Sequence, residues 1–164
     1  MSTKDHPQAG GLDSLDYLIV GALSAAPELT NKALAKKLGV AESTCAYRRR
    51  RLRTSEVIGP PRVDVDHAQL GYALRAVITV HLSSHSRAVV DQFTQNMIST
   101  PHVLQVQHLT GRADFMLTVA VRDGEELKDF ILDHVTVHAS VRSTETHIVF
   151  SMHRGSWIPA GPEA

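Results

Sequence analysis

Apolar residues recur every three or four positions at Leu12, Leu15, Ile19 and Leu23, the spacing that puts them on one face of a helix. Asp13 and Asp16 frame the start of that helix, and the pattern stops near Pro27. Thr30 is placed to cap a second helix by accepting a hydrogen bond from a free backbone N–H, and Leu34, Ala35 and Leu38 supply its inward stripe. Gly39 is expected to end it as a left-handed residue. A third helix follows. Projected at about 3.6 residues per turn, Ala41, Cys45, Arg48 and Leu52 share one face, while Ser43, Thr44, Tyr47, Arg50 and Arg51 fall on the opposite one.

Gly59, Pro60 and Pro61 break regular structure, and residues 62–65 are read as a short strand before a turn near Asp66. From Ala73 the period changes to two: Leu74, Ala76, Ile78, Val80 and Leu82 alternate, as do Phe115, Leu117, Val119 and Val121. Helical spacing appears at Val89, Val90, Phe93 and Met97, and again at Leu127, Phe130, Ile131 and His134, and a last strand is expected near residues 143–152. This order is the split βαβ, ferredoxin-like βαββαβ sandwich. The fold class is therefore α+β: an N-terminal helix-turn-helix, winged-helix-like domain (residues 1–58), a hinge with a short strand (59–72), the sandwich (73–153) and a C-terminal tail (154–164).

The chain has 164 residues and a formal net charge of zero, which hides an asymmetry. Up to Pro60 there are nine basic and six acidic residues, and beyond it eight basic and eleven acidic, so the two parts carry +3 and −3. Between Thr30 and Arg53 eight basic residues face one acid, Glu42. No stretch reaches the length of a signal peptide or the roughly 18 apolar residues of a membrane span, so a cytoplasmic protein without a membrane partner is expected. Cys45 is the lone cysteine, which excludes an intrachain disulfide and reads as a small core residue.

In a helix-turn-helix the second helix enters the major groove, its N-terminal side chains reaching base edges while flanking cations hold phosphates. Double-stranded DNA is the expected partner, and Ser43, Thr44, Tyr47, Arg48, Arg50, Arg51 and Arg53 form the candidate DNA-binding set. Four consecutive arginines circle the helix axis, so Arg48 and Arg49 lie nearer the core, and Arg48 is expected to pair with an acid or a backbone carbonyl. One face of the sheet, with Val77, Thr79, Met116, Thr118, Ala120 and Val149, lacks a helical cover and calls for a partner subunit, hence a homodimer. The loop from His108 to Asp114 reads as a turn, with Gly111 allowing a positive φ. The residues alone favour that turn over a site in which loop amides and Thr110 hold a carboxylate and Asp114 an ammonium group. The ten histidines are scattered, and neither a metal nor a catalytic residue set is expected.

With both modules placed, the span from Leu12 to Phe150 resembles the Lrp/AsnC, or feast/famine, family of transcription regulators. The residues that carry this are Leu12-Asp13-x-x-Asp16-x-x-Ile19, Leu34-Ala35-x-x-Leu38-Gly39-Val40, and Thr44, Arg48 and Leu52. They continue through Val57-Ile58, Asp66-x-x-x-Leu70-Gly71, Gly111-x-x-Asp114 and Val141-x-x-Thr144-x-Thr146. The resemblance implies a sequence-specific DNA-binding regulator, not an enzyme, whose dimers assemble to tetramers or octamers and whose operator affinity is modulated by a small effector. It needs no cofactor. The effector is by resemblance an amino acid, held near Thr110, Gly111, Arg112 and Asp114. Three positions depart from the family pattern: Ala41 for a capping Ser, Arg49 for an apolar residue and Ser55 for Gly. Two alternatives share the architecture, an enzyme subunit similar to some sirohaem decarboxylases and a co-assembly partner that has lost DNA binding. In the tail, Trp157 and Pro159 read as a packing anchor at a subunit boundary.

Overall fold

Asp13 begins the first helix by a reciprocal cap: its side chain accepts from the Asp16 backbone N–H at 3.0 Å, and the Asp16 carboxylate accepts from the Asp13 N–H at 3.0 Å. The resulting helix α1 spans Ser14–Ala25, α2 spans Asn31–Leu38 and α3 spans Glu42–Thr54. These belong to a computed structural model, which describes residues 11–153 and 155. The chain divides into two compact units, one holding the residues up to Val63 and the other Asp64–His153. The tail residues Trp157 and Pro159 lie outside the described residues.

In the first unit Thr30 caps α2 by accepting from the Ala33 N–H at 3.1 Å. Gly39 closes it with φ of 69°. Ile19, Leu34, Cys45 and Leu52 are fully buried where the three helices meet, each large side chain contributing about 1.5–3 kcal/mol. Gly39→Ala forces an L side chain into the left-handed region and is expected to cost about 1–2 kcal/mol, read as a lower urea midpoint with unchanged slope. Helix α3 starts on Ala41, which offers no side-chain cap. At its other end the left-handed residue is Glu56, with φ of 57°, and not the preceding Ser55, so Ser55 keeps an ordinary backbone.

In the second unit β1 (Leu74–Leu82), α4 (Arg87–Ser99), β2 (Val103–His108), β3 (Phe115–Val121), α5 (Gly124–Phe130) and β4 (Val141–Ile148) follow in the expected order. The sheet is antiparallel with strand order β2-β3-β1-β4. The alternation in β1 and β3 points Ala76, Ile78, Val80, Leu82, Phe115, Leu117, Val119 and Val121 into the core, where Phe93 and Met97 of α4 and Leu127 and Phe130 of α5 meet them.

Three local expectations are corrected. No strand forms over residues 62–65, because Pro60 and Pro61 lack N–H donors and no strand of the described residues lies beside this exposed segment. The turn at Asp66 does form, its carboxylate accepting from the Ala68 N–H at 3.0 Å. Helix α5 is shorter than its periodicity implied. It passes into a π-helical turn over Ile131–Val135, closed by a bond from the Thr136 N–H to the Ile131 carbonyl at 2.8 Å. The extra residue shifts the register, so Val135 is buried and His134 is exposed. Strand β4 begins two residues earlier than expected and ends at Ile148. Among the described residues no helix is long and apolar enough to cross a membrane.

Candidate functional site

Helix α3 sorts its arginines by angle. Arg48 and Arg51 are three residues apart, so they lie one above the other on the flank that faces α1. There Arg48 bonds Asp13 at 2.5 Å and Asp16 at 3.2 Å, and Arg51 pairs with the same Asp16 carboxylate. Asp16 is completely buried, while the Arg48 and Arg51 side chains retain 22% and 38% of their exposure. The pairing of Arg48 with an acid is as expected. The outward placement of Arg51 is a correction: its guanidinium turns to α1 because a buried carboxylate needs charge-assisted partners. Arg48, helped by the Asp16 N–H, holds the Asp13 carboxyl below the usual carboxylate range.

What remains outward is compact. Ser43, Tyr47, Arg50 and Arg53 are exposed and Thr44 is half-buried beside them, with Tyr47 63% exposed. Arg50 and Arg53 pair with no acid among the described residues. Such a surface offers hydroxyls, a phenol and two guanidiniums able to make paired hydrogen bonds to guanine or to phosphate. Cys45 sits beneath it, buried, and burial pushes its thiol pKa up, away from the thiolate that reactivity needs.

In the second unit the loop between β2 and β3 is built around Gly111 and Asp114. Gly111 takes φ of 120°, which side chains rarely adopt. The Asp114 carboxylate accepts from the Leu82 N–H at 2.7 Å and pairs with His85 Nε2 at 2.7 Å, while the Asp114 N–H donates to the Val80 carbonyl at 3.0 Å. Thr110 and Arg112 are exposed. Both Asp114 oxygens are thus engaged within the unit, so its first role is to tie the loop to the end of β1.

Burial raises the Asp114 pKa, but the Leu82 N–H and the His85 and His81 charges outweigh it and the net shift is downward from 3.8. A carboxyl whose folded pKa is depressed adds stability above pH 3.8, and that share is lost as pH falls through the lowered folded value. Asp114→Asn is therefore expected to flatten the acid limb of the second unit's stability, seen by comparing urea midpoints at about pH 6 and about pH 3. Equal acid sensitivity in variant and parent would refute that role.

The sheet face opposite the helices is more mixed than β1 and β3 alone implied. By register, Val77, Met116 and Ala120 share it with Gln105, Gln107, Glu145 and His147. Two groups escaped the sequence reading, the Asp16 link to both arginines and the His85 partner of Asp114. Each joins residues about 30 positions apart, and neither has a local spacing signal. Among the described residues no group of three or more histidine, cysteine or carboxylate side chains is disposed to hold a metal ion.

Two family descriptions match the two units: an AsnC-type helix-turn-helix domain over residues 12–53 and an Lrp/AsnC ligand binding domain over residues 75–156. The HTH-type transcriptional regulator AldR of Mycolicibacterium smegmatis is 37% identical over 149 residues, 91% of this chain and 87% of that protein. Escherichia coli AsnC superposes with a TM-score of 0.75 at 26% identity over 88% of this chain and 98% of its own. A Neisseria meningitidis transcriptional regulator, solved as an L-Met complex, superposes at 0.81 over 91% of this chain and 96% of its own, and at 22% identity it shows the fold alone. The relatives are transcriptional regulators and not enzymes, which removes the decarboxylase alternative. A capped helix-turn-helix with an exposed cationic second helix, followed by a ferredoxin-like ligand-binding unit, thus places this chain in the Lrp/AsnC family of DNA-binding transcriptional regulators.

Proposed function

We propose that the protein reads a near-palindromic operator as a homodimer, with Ser43, Thr44, Tyr47, Arg50 and Arg53 of each copy at the groove and Arg48 and Arg51 holding α3 in place against α1. The observation that carries this is the division of the arginines: two are tied to a buried acid, and two meet no acid among the described residues and stand exposed beside an exposed tyrosine. The mixed sheet face supplies the dimer surface, and dimers assemble further to tetramers or octamers. Residues 59–72 link a reader (1–58) to the effector and assembly unit (73–153), and duplex DNA as partner sets the work in the cytoplasm.

An amino-acid effector binds at the 110–114 loop, its carboxylate toward Thr110, Arg112 and the amides around Gly111, in a geometry that Asp114 maintains. The L-Met complex of the Neisseria relative supports that ligand class. Regulation then requires different effector affinities in two assembly states. Selection of bound fragments from a random DNA pool, with and without each amino acid, tests all of this. Enriched half-sites about 34 Å apart, with recovery altered by at least one amino acid, are expected. An unenriched pool would overturn the reading.

A further inference from the structure

Arg49 serves neither the groove nor the Asp16 cluster. Its Nη1 donates to the Leu29 carbonyl at 2.7 Å, yet its Nε is buried without a hydrogen-bond partner among the described residues. A buried cationic donor left unpaired is costly and rare, so the Arg49 guanidinium is only partly satisfied by the Leu29 carbonyl and Asn31. Beside it lies a cavity of about 440 Å³ contained in the first unit, within the size range of small-molecule sites, about 300–1,000 Å³. Val20 and Leu23 of α1 and Val57 and Ile58 beyond α3 give it apolar walls, and Arg49, Arg53 and Arg62 give it three guanidiniums. No acidic side chain lines it among the described residues.

We propose that this cavity is a second ligand site, taking a small organic carboxylate with an apolar body and no ammonium group. The carboxylate meets the Arg49 and Arg62 guanidiniums of the wall, and the hydrocarbon part covers Val20, Leu23, Val57 and Ile58. With no acid on the wall among the described residues, an amino-acid zwitterion finds no partner there for its ammonium, which separates this ligand class from the effector of the second unit.

Octanoate and benzoate, titrated into the full chain with methyl-labelled Val, Leu and Ile, test this by NMR, with octylammonium and chloride as controls. Saturable shifts are expected at the Val20, Leu23, Val57 and Ile58 methyls with the two carboxylates and not with the controls. Arg49→Leu should weaken binding about tenfold or more, since a charged hydrogen bond is lost. Arg62→Gln, on the exposed rim, should weaken it less and carries the test should the Arg49 variant fail to fold. Shifts that do not saturate, that fall on the second unit, that octylammonium reproduces, or that survive Arg62→Gln and a folded Arg49→Leu undiminished overturn the proposal. DNA affinity is not part of the readout, so failure here leaves the operator reading standing.

Discussion

Asp16→Ala is expected to remove about half of the stability of the helix-turn-helix unit while that of the sheet unit is unchanged. Asp16 closes the cap of α1 and is the completely buried anion to which two arginines of α3 are bound. Removing one partner of a buried ion pair costs about 3–5 kcal/mol. Both arginines keep part of their water, so about 2–4 kcal/mol is the appropriate figure here. A unit of some fifty residues has on the order of 3–8 kcal/mol in total, at about 0.05–0.15 kcal/mol per residue. The loss is therefore about half of the stability of the unit. Circular dichroism in urea should show an early helical transition separated from that of the sheet, and amide exchange should assign it to residues 14–54. Asp16→Asn keeps an acceptor for the Asp13 N–H but removes the charge, and should fall between the two. A midpoint for Asp16→Ala within the roughly 0.5 kcal/mol typical of surface substitutions would mean that the arginines do not depend on it.

Elements whose signals are local were legible in the sequence. Thr30 and Gly39 bound α2 by chemistry contained in a few residues, and the strict alternation of β1 and β3 fixes which side chains enter the core. The candidate interface was legible as a helix but only in part as a set of side chains. A projection places Arg51 by angle alone, whereas its guanidinium reaches far enough to follow the Asp16 charge 35 positions away. The same limit applies to Asp114, whose His85 and Leu82 partners come from another strand end. Residues 62–65 look strand-like because Val63 and Val65 alternate with polar neighbours, but a strand exists only with a partner, which no periodicity reveals. The π-turn shifts the register by one residue between Phe130 and Val135, which a fixed 3.6-residue period cannot represent.

The double substitution Tyr47→Ala, Arg50→Ala is expected to abolish specific operator recognition while leaving the fold intact, because both side chains point to water and neither enters the helical core. A good side-chain interaction with a base edge is worth about 1–3 kcal/mol of discrimination. Removing two such interactions together weakens specific binding by about a hundredfold or more. Salt dependence tells what Arg50 does. If it holds a phosphate, Arg50→Ala lowers the slope of log affinity against log salt by about 1 and weakens all sequences alike. If it reads guanine through a paired hydrogen bond, preference at one base position relaxes, and Arg50→Lys, which keeps the charge but not the fork, fails to restore it. Gel shifts against the selected operator and a scrambled duplex, at several salt concentrations, separate these outcomes. Specific binding by the double variant equal to that of the parent would place DNA on some other surface, and with it the groove role given to α3 would be lost.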